Sequence, residues 1–268
     1  MIMSTKNSPK NFDSIKQSDE SLQTTIKFSY ASLAVFCGMM MIFVFDMMNR
    51  SDQISFIPLF FSILMGMAAA DFFSGLLHWL FDTWGSSDSL FWGEYIVKSF
   101  REHHTRPHLI LKRNWIESNG VPIMVVVSVH IVYTIFIEDR LIPISQSVHM
   151  SMFLFCFYFM MAVSNEIHKL CHYPKKCGYF VETLRFFKII PSVADHKKHH
   201  TFPFDDNYCL ATGWMNPILR KIEFWRRLEK LITMLTGMKP RQEDHLYYEV
   251  LVKKSARNKN EIRQRIKE

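Results

Sequence analysis

Ile54-Ser-Phe-Ile-Pro-Leu-Phe-Phe-Ser-Ile-Leu-Met-Gly-Met-Ala-Ala-Ala-Asp71-Phe-Phe-Ser-Gly-Leu-Leu-His78-Trp-Leu-Phe-Asp82-Thr-Trp84 is apolar over its first two-thirds and carries polar groups at its end. A spanning helix needs roughly 20 apolar residues, so the start of this segment fits a bilayer and its end projects out of one. On a helix, residues i and i+4 share a face, which puts His78 above Asp82. A membrane helix ending in a histidine and a carboxylate on one face sets the theme for the rest of the chain.

Three further runs have spanning length. With the first they give spans at about 28–48, 54–82, 121–137 and 147–168, the last continuing as helix through His172. The expected fold class is all-α: an integral membrane protein with four transmembrane helices and a His-rich cytosolic cap built from 85–120 and 169–245. Residues 1–27 read as a disordered tail, 28–245 as the working domain and 246–268 as a solvated basic tail. The 24 Phe and 17 Met of the 268 residues sit mostly inside the apolar runs.

Charge sets the expected orientation. The connections 49–53 and 138–143 each hold one basic residue, Arg50 and Arg140. The loop 85–120 holds Lys98, Arg101, Arg106, Lys112 and Arg113, and the tail 1–27 holds Lys6, Lys10, Lys16 and Lys27. The positive-inside rule then puts both termini and the middle loop in the cytosol. The net charge of +7 fits an anionic membrane surface, and no motif supports nucleic-acid binding. The five cysteines make no disulfide framework and read as reduced thiols. Pro217–Leu235 reads as one amphipathic helix, lying on the membrane surface or packed on the cap.

Eight of the 12 histidines fall in clusters. They are His78; His103 and His104; His168 and His172; and His196, His199 and His200. Helical spacing aims His168 with His172, and His196 with both His199 and His200, and the topology drawn from Lys and Arg alone brings every cluster to one membrane face. Eight imidazoles exceed the four ligands of a tetrahedral zinc site and suit two metals with open positions. Imidazole ligates iron, zinc, copper and nickel alike. Asp82, the candidate catalytic carboxylate, is either a ligand or a partner orienting His78, the second role being preferred. Glu102 and Glu166 are candidates for similar support. His108, His130, His149 and His245 stand outside the clusters. Asp71, a carboxylate inside a span, is either functional or a cap. Trp79 and Phe81 are cavity walls or ordinary core.

Longer motifs accompany the histidines. They are Asp71-Phe-Phe-Ser-Gly-Leu-Leu-His-Trp79 with Asp82-Thr-Trp-Gly85; Phe100-Arg-Glu-His-His104; Ile116-Glu-Ser-Asn-Gly120; Asn165-Glu-Ile-His-Lys169; His196-Lys-Lys-His-His-Thr201; Tyr208-Cys-Leu-Ala-Thr-Gly-Trp-Met-Asn216; Phe224-Trp-Arg-Arg-Leu-Glu229; and Leu235-Thr-Gly-Met-Lys-Pro-Arg241. Over about residues 28–245 the chain resembles the Kua family of membrane lipid desaturases. The resemblance implies a multi-pass endoplasmic reticulum enzyme with two iron ions (Fe2+/Fe3+) and O2 as co-substrate. It implies cytochrome b5 and its reductase as electron donors, and an ether phospholipid substrate that gains a vinyl-ether double bond between C1 and C2 of its sn-1 alkyl chain. Oxidising an unactivated C–H bond favours redox-active iron over zinc. Asp195 stands where animal members of the family carry a histidine. The rival readings are a desaturase of an ester-linked acyl chain, a lipid hydroxylase and a non-enzymatic zinc protein.

Overall fold

The computed structural model describes residues 12–86, 97–136, 147–173, 177–201 and 204–241. His245, the basic tail and the turn containing Arg140 lie outside these. Among the described residues there are α-helices, short 3-10 turns and no strand. The helices are α1 (Phe12–Asn49), α2 (Phe56–Thr83), α3 (Lys98–Thr105), α4 (Trp115–Phe136), α5 (Val148–Cys171), α6 (Tyr179–Phe186), α7 (Val193–His199), α8 (Met215–Lys221) and α9 (Phe224–Thr236). Gln23–Asn49 of α1, together with α2, α4 and α5, is long and apolar enough to cross a membrane. This is a multi-pass membrane protein.

The spans pack as α2 on α5, α5 on α4, and α4 on α1. At about 1.5 Å per residue α2 is about 42 Å long, against a hydrocarbon core of about 30 Å. It is therefore longer than the core it would cross, which leaves room for the projecting end that the sequence predicts. Large residues such as Phe56, Ile57, Phe60 and Phe61 are exposed on the protein, which suits a surface bathed in lipid. Gly66 lets α2 and α5 approach closely: a Cβ there would sit 2.5 Å from the Phe153 carbonyl oxygen. At the opposite end from the histidines, Asp46 and Arg50 pair with each other, and Ser151 donates to Asp46 at 2.6 Å, tying the end of α1 to the start of α5.

Three boundaries depart from the sequence reading. α1 begins at Phe12, inside the stretch read as disordered. Extending a formed helix adds one hydrogen bond per residue without a new nucleus, so the apolar run carries its helix back into polar sequence. α4 begins at Trp115, not Val121. Its start is a capping box: Asn114 Oδ1 accepts from the Glu117 N–H (3.0 Å) and Glu117 Oε2 accepts from the Asn114 N–H (2.9 Å). The helix expected over 217–235 is two helices, α8 and α9, broken at Glu223, whose φ is +50°. Trp225 is buried and Leu228 and Ile232 pack beside it, so this face docks on the cap, while Leu231 is exposed.

Two clamps bind the cap to α2. Asp71 is fully buried, and its carboxylate accepts the backbone N–H groups of Thr212 (2.8 Å), Gly213 (2.8 Å) and Met215 (2.9 Å). The alternative of a cap rather than a reacting group is therefore what the geometry gives. One turn on, Gly75 makes room for the same loop, since a Cβ would meet the Cys209 Cα at 3.1 Å. In the second clamp Arg241 donates to both oxygens of Glu229 (2.8 and 2.7 Å), Trp79 Nε1 donates to Glu229 Oε1 (3.1 Å), and the Arg241 N–H reaches the Thr83 carbonyl (2.8 Å). Asp71→Ala leaves three N–H donors, one buried and two part-buried, without an acceptor, at about 1 kcal/mol each. The variant is expected to unfold at lower temperature in detergent, by about 3 kcal/mol in stability; an unchanged transition would remove the clamp from the account.

Candidate metal centre

The turns that leave the membrane carry the donors. α2 brings His78 and Asp82, α5 brings His168 and, at its C-cap, His172. α3 lays His103 and His104 across them, and α7 adds His196, His199 and, at its C-cap, His200. Ser192 starts α7 by accepting the Asp195 N–H at 3.1 Å. Asp195 accepts from Ser192 (2.7 Å) and Lys198 (2.9 Å) and belongs to neither cluster of histidines.

All eight clustered histidines come together, but in two sets. His103, His168, His172, His196 and His200 form one; His78, Asp82, His104 and His199 form the other. Within each set the donor atoms lie within 4.8 Å of one another. The division corrects the expectation that His196, His199 and His200 aim at one point: His196 and His200 stay together, and His199 turns to the second set. His108, His130 and His149 stay outside, as expected. His130 packs in the bundle against Phe43 and Tyr158, and His149 accepts the Ser55 N–H at 3.3 Å on the opposite side. Glu166 interacts with Asn119 (3.3 Å) and Lys169 (3.7 Å), not with a histidine.

The geometry tests whether these residues suit metal ions. In the first set His103 Nε2 is 2.9 Å from both His168 Nε2 and His172 Nε2, and His172 Nε2 is 3.1 Å from His168 Nε2 and 2.7 Å from His196 Nε2. Two ring nitrogens can share one proton at most, so this many facing nitrogens cannot all be paired by hydrogen bonds. Both nitrogens of His200 have no partner. Imidazoles bound to one ion through bonds of about 2.0–2.1 Å have their nitrogens roughly 3 Å apart when the bonds are near right angles, and the observed spacings match.

In the second set Asp82 Oδ2 lies 3.1 Å from His78 Nε2 and 3.4 Å from both His104 Nε2 and His199 Nε2. Both Asp82 oxygens are buried without an aligned hydrogen bond. A carboxylate that only oriented His78 would meet the ring nitrogen turned away from the cluster. Asp82 meets Nε2, the nitrogen that faces it, so the geometry favours the ligand role over the orienting one. The orienting partner that does appear is backbone: the Asp206 carbonyl accepts from His199 Nδ1 at 2.9 Å, leaving Nε2 free toward the set.

Protonation agrees. Burial, joined by neighbouring histidines, pushes the pKa of His103, His196 and His200 below the usual imidazole value, and that of His172 down to about 4. These rings are neutral near pH 7, the form that binds metal.

Such a cluster on the emerging ends of membrane helices defines a multi-pass membrane protein with a histidine-rich centre suited to metal. The chain belongs to the lipid desaturase family: the lipid desaturase domain matches residues 67–243, which contain every donor named above. The plasmanylethanolamine desaturase 1 of Mus musculus is 38% identical over 68% of this chain and 68% of its own length. The plasmanylethanolamine desaturase of Myxococcus xanthus is 34% identical over 68% of this chain and 63% of its own. A chloroplastic fatty acid desaturase 4 of Arabidopsis thaliana is 27% identical over 66% of this chain and 52% of its own. No solved structure matches.

The sign of the pH effect follows. An unfolded imidazole takes its proton near 6.5, whereas folded His172 waits until about 4. Between these values the unfolded state binds more protons, so stability falls as pH drops through the window. Chelator-treated protein should melt at a lower temperature at about pH 5 than at about pH 7.5; equal melting would mean the rings are not held neutral.

Proposed function

We propose that this chain is a plasmanylethanolamine desaturase that introduces the vinyl-ether double bond between C1 and C2 of the sn-1 alkyl chain of an ether phospholipid. The observation that carries the reading is the pair of donor sets at the end of an apolar cleft in a chain 38% identical to the mouse enzyme. The reaction removes two hydrogens from the alkyl chain; with O2, two electrons and two protons it yields the vinyl ether and two waters. His103, His168, His172, His196 and His200 would hold one iron, and His78, Asp82, His104 and His199 the other. Bound there, the irons supply the oxidising power to break an unactivated C–H bond with O2.

The chain's own residues set the conditions. Neutral imidazoles present lone pairs without first losing protons, and Asp82 adds the one negative charge. His104 stacks on Phe204 (centroids 4.7 Å apart) and His78 meets Phe100 edge-on (5.4 Å), so aromatic rings shield the second set from water. α7 buries His196 and His199 while exposing Lys197 and Lys198. That basic face above the donors supports an acidic electron donor of the cytochrome b5 type, fed by its reductase. In this reading the domain spans 28–245, the membrane is that of the endoplasmic reticulum, and both termini and the histidine side face the cytosol.

Expression in cells unable to desaturate ether phospholipids tests the activity. The intact chain should restore acid-labile vinyl-ether lipid, and His200→Ala should leave it at background. A new acyl double bond, or a hydroxylated ether, would overturn the substrate or the outcome. A second measurement tests the division of ligands: iron per purified chain should fall from about two to about one in both Asp82→Ala and His196→Ala, one variant per set. Full zinc occupancy without iron-dependent activity would leave a zinc protein.

A further inference from the structure

Two cavities reach the donor sets from different sides, and they share Phe100, Asn165 and His168. The first lies inside the bundle. α2 and α4 both pack on α5 but barely touch each other, which leaves a cleft along α5. Leu77 and Phe81 of α2 form one wall, Val121 and Val125 of α4 the other, and Met161 of α5 the floor. His78 and His168, one from each donor set, stand at its end. The hydroxyls of Ser74 and Ser164 are turned back onto the Asp71 and Met161 carbonyls, 2.8 Å each, so the lining offers little for a polar solute to bind. Val121 and Val125 are 45% and 39% exposed, and the cleft therefore opens sideways among helix faces that meet lipid. Methylene chains are what such a mouth admits.

The second cavity lies beyond Phe100 and has the opposite chemistry. It is lined by Arg106, Arg113, Glu102 and His103, among others. Arg113 is held in place at both ends: its Nη2 donates to Ser99 Oγ (3.1 Å) and its carbonyl accepts from Lys169 Nζ (2.8 Å). Two guanidinium groups suit a phosphodiester, since the planar fork matches phosphate oxygens. Glu102 beside them offers an anion to a headgroup amine.

We propose that the two cavities are the halves of one phospholipid site, with a phosphate-and-amine headgroup over Arg106 and Arg113 and the alkyl chain in the cleft between α2 and α4. This rests on the desaturase reading given above. The junction of the halves lies at His168 of the first set and at Phe100, whose ring meets His78 of the second. The carbons presented there are the first ones of the chain, next to the glycerol oxygen. A centre acting on mid-chain carbons would need its donors deep along the apolar half; here they stand at its polar end. The site thus explains why oxidation falls at C1 and C2 without any ruler measuring from the methyl end.

Photocrosslinking tests the placement independently of turnover. The full chain, in membranes, is irradiated with a 1-O-alkyl phosphoethanolamine lipid carrying a diazirine at mid-chain, or with one carrying it on the headgroup. Peptide mapping should place the chain probe on segments containing Leu77, Val125 or Met161, and the head probe on residues 99–113. Val125→Trp fills the mouth and should remove most of the chain labelling. Arg113→Gln should weaken head labelling about tenfold, the effect of one charge-assisted hydrogen bond. Labelling of the lipid-facing stretch 56–61 should persist in both variants and report insertion. Chain labelling confined to such outer faces, or unchanged by Val125→Trp, overturns the proposal. Vinyl ether formed with the cleft unlabelled overturns the site and keeps the desaturase; labelling in both halves without vinyl ether keeps the site and overturns the desaturase.

Discussion

Eight imidazoles and a carboxylate face one another where water is largely excluded, and the rest of the cap is built around holding them there. Facing lone pairs repel, and protonating one ring is opposed both by burial and by its neighbours. The sets do not hold themselves together. What holds them is a ring of ordinary, fully paired polar contacts just outside. The Asn216 side chain bonds both the N–H and the carbonyl of Cys209 (3.0 and 2.9 Å). Asn207 Nδ2 reaches the Asp195 carbonyl at the start of α7 (2.9 Å), and Asn119 Oδ1 takes the Glu166 N–H beside His168 (3.0 Å). The first fixes the loop that packs on α2, and the other two fix backbone beside His196 and His168.

α2 concentrates this arrangement on a single stripe. Asp71, Gly75, His78 and Asp82 stand at i, i+4, i+7 and i+11, all buried, and so lie along one helix face over about three turns. The stripe passes from a clamp on the loop 212–215, to the close approach of Cys209, to two members of the second set. Two carboxylates on that face have different work because their neighbours differ. Asp71 meets three backbone N–H groups; Asp82 meets three imidazole nitrogens. The Glu229–Arg241 pair, with Trp79 one residue past His78, then fixes the exposed end of the helix from the other side.

The spans and the clustering were legible because length, hydropathy and helical spacing are local quantities. The i, i+4 pairs behave as their spacing requires: His78 with Asp82, His168 with His172, His196 with His200. The division into two sets was not legible. Adjacent helical residues point about 100° apart, so His103 and His104 part company, as do His199 and His200. Which neighbour goes to which set depends on where α3 and α7 lie over the ends of α2 and α5, and that is tertiary. Asp71 was ambiguous for the same reason, since its partners are more than a hundred residues away. The start of α4 is different. Asn114-x-x-Glu117 is a local capping signal, and the polar residues after it, with Pro122, obscured a helix that was there to be read.

The two sets are not equivalent, and the difference is charge. The first has five neutral rings and no anion. The second has three rings and Asp82, which is 3% exposed and faces the three ring nitrogens. A buried carboxylate is costly unless a positive charge compensates it. A positive ion among His78, His104 and His199 would supply that charge. The carboxylate therefore draws a cation to the second set by charge, whereas the first offers one lone pairs alone. The sequence carries this asymmetry in plain view: the position one turn after His78 is an aspartate, while one turn after His168 and one turn after His196 it is again a histidine.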